Sequence, residues 1–252
     1  MAEVGRVTVR RATFDDVDGL LRLYLEDLSA EDRWTRFFSG YRPDRGFVER
    51  LVSLSGSGGC VLVAVADDGR IVADAGWSML PNGNGELWVT VAPDRRGGMG
   101  TAMVAALGRE ATAQGVANLE AAMLRANLPM RTILRHRPSA VVGVDDWDVV
   151  RVVVSSYDGR LPGWGPRAGH PRVLIEDRSG QWRSHEDKLP PDAEVLICRG
   201  PRTQICPLLR GGECPLVSGA DQIVWNLGGE PGGRDVLRAH RGTRQCVAAR
   251  PL

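Results

Sequence analysis

The stretch Glu86–Leu107, ELWVTVAPDRRGGMGTAMVAAL, decides how this chain is read. Glu86–Val91 has the composition of a strand, Pro93–Gly98 breaks the pattern, and apolar residues then recur at helical spacing over Thr101–Gln114. Met103, Val104, Leu107 and Ala111 fall on one side of that helix. The strand therefore enters a glycine-dense turn, and a helix leaves it at once. In Arg95-x-x-Gly98-x-Gly100 the glycines stand where backbone must come close to another group. Free N–H groups and the positive end of the helix dipole make such a turn an anion site suited to a pyrophosphate, and Arg95 and Arg96 add charge. The same pattern also fits a plain tight turn between strand and helix.

Upstream, Arg6–Arg11 alternates as a half-buried strand, and Asp15 is placed to cap a helix carrying Val17, Leu20, Leu21, Tyr24 and Leu25. A second helical stretch, Ser29–Ser53, holds Trp34, Phe37, Phe38, Phe47, Val48 and Leu51 and is broken at Tyr41-Arg42-Pro43. Cys60–Ala66 and Ile71–Ser78 form a hairpin about Asp67-Asp68-Gly69-Arg70. Downstream follow a strand at Leu119–Met123, a helix at Leu128–His136, and a hairpin of Ala140–Val144 with Val149–Val154. The order β-α-α-β-β-β-α-β-α-β-β is an α+β layout around a mixed, mostly antiparallel sheet.

That unit closes near Ser155, giving a first domain of residues 1–155. Residues 156–171 are rich in Gly and Pro and read as a linker. Residues 172–252 hold short apolar runs at Arg172–Glu176, Glu194–Cys198, Gln222–Leu227 and Gln245–Ala249, with a helix expected at Arg234–His240. They read as a small C-terminal α/β unit with a parallel sheet, too small for much of a core of its own and so packed on the first domain.

The 252 residues carry 32 basic and 31 acidic side chains, a net charge of +1, so no overall field draws nucleic acid or an anionic membrane. No apolar run of about 18 residues spans a bilayer. Asp15 and Asp16 fall where a secretory leader needs its apolar stretch, and the chain reads as cytoplasmic. Five cysteines, odd in number and mostly late, argue against a disulfide scaffold.

The strand–R-x-x-G-x-G–helix element within this element order resembles the GCN5-related N-acetyltransferases, the GNAT superfamily, over about residues 5–155. The resemblance implies the GNAT fold and acetyl-CoA as co-substrate, with no metal. Its phosphates would lie on Arg95, Arg96, Gly97, Gly98, Met99, Gly100 and Thr101, and Val89, Thr90 and Val91 would pair with its pantetheine arm as an added strand. Asn127-Leu128-Pro129-Met130 is similar to the family's Asn-x-x-Met segment, which makes Asn127 a further cofactor contact. Leu28-Ser29-Ala30-Glu31-Asp32-Arg33 with Arg36-Phe37-Phe38 resembles a segment of bacterial protein acetyltransferases that modify acyl-CoA synthetases, and so implies a protein lysine as acceptor. A homodimer also fits the resemblance.

Glu86, seven residues before Pro93, stands where the protein-acetylating branch keeps a general base. Part-buried beside a thioester, it would hold a raised pKa and take a proton from an ammonium; the other reading is an edge-of-strand carboxylate in solvent after Asn84-Gly85. The family's usual three-residue spacing from Pro to the motif Arg is two here, from Pro93 to Arg95. Leu134 occupies the position of the family's frequent Tyr acid, and Arg137-Pro138-Ser139 stands where a Gly-Phe is usual. A thiolate leaves without an enzymic acid, so the implied activity is direct transfer of acetyl to a primary amine. A non-catalytic acyl-CoA-binding sensor, with a ligand- or partner-binding C-terminal domain, is the alternative. Cys60 reads as a packed thiol. Cys206, Cys214 and Cys198 leave metal binding, redox pairing and plain packing open, since eight residues between the two Cys-Pro pairs is not a zinc-knuckle spacing. Gly228–Gly233 reads as a flexible loop, with an anion site as the other option.

Overall fold

The computed structural model describes residues 7–135, 141–144, 149–157, 162–165, 169–177, 189–190, 192–198, 206–226 and 246–248. The helix expected at Arg234–His240, the Gly228–Gly233 loop and the Arg137–Ser139 segment lie outside them. The described strands form one 11-stranded sheet. Its first half comprises β1 (Val7–Arg11), β2 (Gly59–Ala66), β3 (Ile71–Met79), β4 (Gly85–Val91), β5 (Asn118–Leu124), β6 (Val141–Val144) and β7 (Val149–Ser155). The C-terminal unit adds β8 (Arg172–Asp177), β9 (Glu194–Cys198), β10 (Gln222–Asn226) and β11 (Cys246–Ala248). The spatial order is β1-β2-β3-β4-β5-β7-β6-β9-β8-β10-β11. Pairing is antiparallel from β1 to β4, parallel from β4 to β5, and antiparallel across β5, β7 and β6. Strands β9, β8, β10 and β11 are parallel, as the short apolar runs suggest. The C-terminal unit does not merely pack on the first: β9 pairs antiparallel with β6 at Val142↔Ile197 and Gly143↔Leu196, so the sheet runs on through both.

Helices cover both faces. α1 (Val17–Arg22), α2 (Ala30–Phe37) and α3 (Arg45–Ser53) lie on one, α4 (Met99–Ala113) and α5 (Leu128–Arg135) on the other. Strand β2 is buried at every position but Val65, and its alternation feeds two cores. Cys60, Leu62 and Ala64 meet Met103, Leu107 and the α4 side, while Val61 and Val63 meet Leu20 and Val48. A short α6 (Pro215–Gly219) covers Val153 of β7 and Leu174, Leu196 and Ile223 of the C-terminal strands.

Local signals place these helices. The Ser29 hydroxyl accepts the Asp32 N–H at 3.0 Å to start α2, and Asp44 accepts the Phe47 N–H at 2.7 Å to start α3. The first helix corrects the sequence reading, because Asp15 is exposed and caps nothing. Asp16 is buried, and its carboxylate accepts the Thr13 N–H at 2.8 Å and two Arg10 bonds at 2.7 Å. After α1 the chain widens into a π turn over Leu23–Asp27, which brings Leu23 and Tyr24 inward together. Trp34 and Phe38 of the second helical stretch remain exposed.

The inter-unit segment is fastened where it is described. Asn118 Nδ2 donates to the Gly163 carbonyl at 2.9 Å, and its Oδ1 accepts the Gly163 N–H at 3.1 Å. A Cβ on Gly165 would meet the Asn82 carbonyl oxygen at 2.2 Å. Trp164 Nε1 donates to the Leu216 carbonyl at 2.7 Å, tying the segment to α6. Among the described residues no helix is long and apolar enough to cross a membrane.

The Arg10 bonds hold the Asp16 carboxyl below its ordinary value, more than offsetting its burial. A depressed pKa stabilises the fold above the unfolded-state value and loses that contribution as pH falls through the folded value. Asp16→Asn is therefore expected to cost about 1 kcal/mol at neutral pH, Arg10 being half-exposed, with the deficit shrinking as pH drops below about 4. Urea denaturation of both proteins at the two pH values measures it.

Candidate functional site

Strands β4 and β5 pair only at Gly85↔Leu119 and Glu86↔Glu120. Beyond those two pairs each follows its other neighbour. β4 stays with β3 through Val91↔Ala73, and β5 stays with β7 through Leu124↔Val149. The strands diverge, and the β4 edge over Leu87–Val91 faces the opening without a ladder partner. Backbone groups on such an edge accept an extended ligand as an added strand. Val89 and Val91 turn half-buried side chains to the α4–α5 side, and Thr90 is buried on the other.

The turn after β4 delivers the start of α4 to the same end. Gly97 and Gly98 have φ of 104° and 123°, and beyond each Cα lies open space, so these two positions need glycine for conformation. Gly98 caps α4 with no side-chain acceptor. The Ala102 N–H reaches the Gly98 carbonyl at 3.0 Å, which leaves the N–H groups of Met99, Gly100 and Thr101 without an intrahelical acceptor at the positive end of a 15-residue helix. Gly100 differs in its surroundings. It is buried, and a Cβ there would meet Ile133 Cδ1 at 2.6 Å, so it lets α5 close onto α4.

Both turn arginines are engaged. Arg95 lies 3.7 Å from Asp94, and Arg96 pairs with Asp32 of α2, whose carboxyl is held low by Ser29 and Arg96 against its burial. Arg70 joins Asp94 to Asp27 on the hairpin beside the turn. Asn127 Oδ1 accepts the Met130 N–H at 3.1 Å and caps α5 across the opening from β4. Leu134 is fully buried in the core of the α4–α5 side.

Glu86 stands where the opening begins, but it is exposed rather than part-buried. Its register partner Glu120 is buried, and there Oε2 accepts from Asn84 Nδ2 at 2.8 Å and Asn82 Nδ2 at 3.3 Å, with Arg151 at 3.5 Å. On the face shared by Glu86, cross-strand pairs run Ser78↔Glu86, Gly76↔Trp88 and Asp74↔Thr90 toward α2, from exposed to buried. Asp74 is fully buried and accepts the Trp88 indole N–H at 2.9 Å. Burial pushes its carboxyl up, against the Arg36 charge. Reading by motif passed over Asp74 and Glu120. Their signal is an acidic residue inside an otherwise apolar strand, as in Ile71–Trp77 and Asn118–Leu124.

The cysteines sit apart from this opening. Cys60, Cys198 and Cys214 are buried, and Cys198 and Cys214 pack in the α6 core. Burial pushes the Cys60 thiol up to about 11.

No protein-family model and no curated protein matches this chain. Solved structures do. The GNAT domain of S. lividans PAT superposes with a TM-score of 0.54 at 23% identity, covering 60% of this chain and 91% of that one. A ribosomal-protein-alanine N-acetyltransferase from Brucella melitensis gives 0.50 at 23% identity over 58% of this chain and 98% of its own. A GNAT superfamily phosphinothricin acetyltransferase from Sinorhizobium meliloti, solved in complex with AcCoA, gives 0.52 at 19% identity over 65% and 94%. The part of the chain they cover has the GNAT fold.

The two kinds of glycine separate in stability. Gly98→Ala forces a side chain into a left-handed turn and is expected to cost about 1–2 kcal/mol. Gly100→Ala moves only the end of the flexible Ile133 side chain, and the gain in helix propensity, about 1 kcal/mol, offsets it. Urea denaturation should find the first clearly destabilised and the second within about 0.5 kcal/mol of the parent.

Proposed function

We propose that this chain, built on the GNAT fold, is an acetyl-CoA-dependent N-acetyltransferase that moves an acetyl group to a primary amine. The observation that carries the reading is the unpaired β4 edge leading into the uncapped start of α4. An extended amide-rich arm has its hydrogen-bond partners on Leu87–Val91, and a pyrophosphate has its own on the N–H groups of Gly97–Thr101, with Arg95 and Arg96 beside them. Acetyl-CoA supplies the thioester. The chain supplies orientation, a backbone N–H near Val91 to polarise the carbonyl, and a carboxylate, Glu86, at the head of the opening. Glu86 takes a proton from the acceptor ammonium, directly or through water, so that the free amine attacks. The core position of Leu134 supports a thiolate that leaves without an acid from that helix.

The division of labour follows. Residues 1–155 carry the transfer site, residues 156–171 connect, and residues 172–252 act on the acceptor side through the Asn118–Gly163 and Trp164–Leu216 bonds. The Arg36-Phe37-Phe38 segment favours a protein lysine as acceptor, and a cytoplasmic site of action is part of the reading. A sensor that binds acyl-CoA without turnover is the second reading, and the exposure of Glu86 favours it.

Calorimetry with acetyl-CoA and turnover with an amine and peptide panel decide between them. The chain is expected to bind acetyl-CoA, and Gly98→Val to weaken binding about tenfold or more by distorting the turn. Glu86→Gln is expected to lower kcat about 10²–10⁴-fold with little change in acetyl-CoA affinity. Unchanged affinity in Gly98→Val overturns the phosphate site, and binding without turnover supports the sensor.

A further inference from the structure

The face that carries Glu86 also carries a structure that deprotonating an amine does not require. Asp74 is fully buried, and its Oδ1, the Tyr24 hydroxyl, the Thr90 hydroxyl and Arg36 Nε are all buried without a partner in hydrogen-bonding geometry. Burying a carboxylate beside several half-satisfied groups is unfavourable unless the arrangement serves something. What it fixes is a stack. The Trp88 indole lies against Gly76, where a Cβ would meet ring atom Cζ2 at 2.2 Å, and its N–H is held by Asp74 at 2.9 Å. The Arg36 guanidinium sits over that ring, 5.4 Å from its centroid, and over Phe37 at 4.9 Å.

Arg36 itself is held from behind. It lies in the last turn of α2, which ends at Phe38 in a left-handed conformation, φ 54°, that a bulky residue rarely adopts. Phe37 is fixed edge-on among Tyr24, Tyr41 and Phe47 at 5.5–5.9 Å across the cluster. The guanidinium is thus positioned and partly exposed, with the buried Asp74 carboxylate and the Tyr24 hydroxyl behind it. Trp88 is two residues from Glu86 along β4, about 7 Å, and on the same face. A held cation and an exposed carboxylate therefore lie on the same face of the sheet.

We infer that Arg36 is a specificity-determining residue that binds an anionic group on the acceptor, so that the acceptor is an amine with a carboxylate close to it. The inference rests on the acetyltransferase reading and deepens it. The ammonium meets Glu86, and the carboxylate meets a planar guanidinium whose orientation is already fixed, which limits the entropy lost on binding. Tyr24, Asp74 and Trp88 are positioning residues for Arg36. A free amino acid and a lysine flanked by an acidic side chain both present this chemistry.

The test is a set of paired acceptors with acetyl-CoA: free amino acids against their carboxamides, and lysine peptides with Glu against Gln beside the lysine. The full-length chain, Arg36→Gln and Arg36→Lys are compared by initial rate, with acetyl-CoA affinity measured by calorimetry. The carboxylate member of at least one pair is expected to lead by about 10–100-fold in kcat/KM. Arg36→Gln removes that lead, chiefly through KM, Arg36→Lys restores part of it, and acetyl-CoA affinity does not move. Which set shows the lead identifies the source of the carboxylate. Equal loss on both members of a pair, no lead in the parent, or no turnover of any carboxylate-bearing amine by a chain that binds acetyl-CoA overturns the inference and leaves cofactor binding standing. A chain that fails to bind acetyl-CoA overturns the underlying reading itself.

Discussion

Two residue pairs hold β4 to β5, and the geometry of the site follows from the fact that there are no more. β4 is committed to β3 over seven pairs and β5 to β7 over seven, so each strand takes the twist of its outer neighbour and the two separate where their short ladder ends. A split in the middle of a sheet leaves backbone donors and acceptors facing one another across a gap. Such groups are unfavourable if buried without partners and available if something of strand shape enters. α4 begins at one end of the split and Glu86 stands at the other. One departure from regular pairing thus sets the positions of an uncapped helix start, an unpaired strand edge and a carboxylate.

Electrostatic contacts bind the α2 side of the sheet to this frame. Arg96 of the turn reaches Asp32 of α2, and Arg70 of the β2–β3 hairpin reaches Asp27 and Asp94. α2 has no fully buried residue, so its position depends on the Ser29 cap, the Arg96 pair and the aromatic cluster around Phe37 more than on a core of its own. On the far side, Glu120, Asn84, Asn118 and Gly163 form a chain of hydrogen bonds from the base of the split to the inter-unit segment, whose Trp164 donates to Leu216 of α6. The C-terminal unit is therefore joined to the site through polar contacts as well as through the β6–β9 ladder.

The strand–turn–helix element, the hairpin at Asp67–Arg70 and the parallel character of the C-terminal strands were legible because they rest on local chemistry: glycine at positive φ, alternation, and short apolar runs. The burial of individual polar residues was not. Asp15 and Asp16 are equivalent in sequence, and only the approach of Arg10 from β1 makes Asp16 the buried one. Glu86 was expected to be part-buried beside a thioester, yet its side chain is exposed. Gly98 and Gly100 look alike in the motif, but one is set by backbone conformation and the other by the approach of Ile133 from a helix thirty-odd residues away. The joining of β6 to β9 depends on two edges meeting, which no local pattern announces.

The central claim is that acetyl-CoA adds itself to β4 and places its phosphates on the start of α4. Amide hydrogen exchange on the full-length chain, with and without saturating acetyl-CoA, reads this directly. The account predicts slowed exchange over Leu87–Val91 and Gly97–Thr101, with β8–β10 and α6 unchanged. Exchange that is unaltered over both segments, or protection confined to the C-terminal unit, would contradict it.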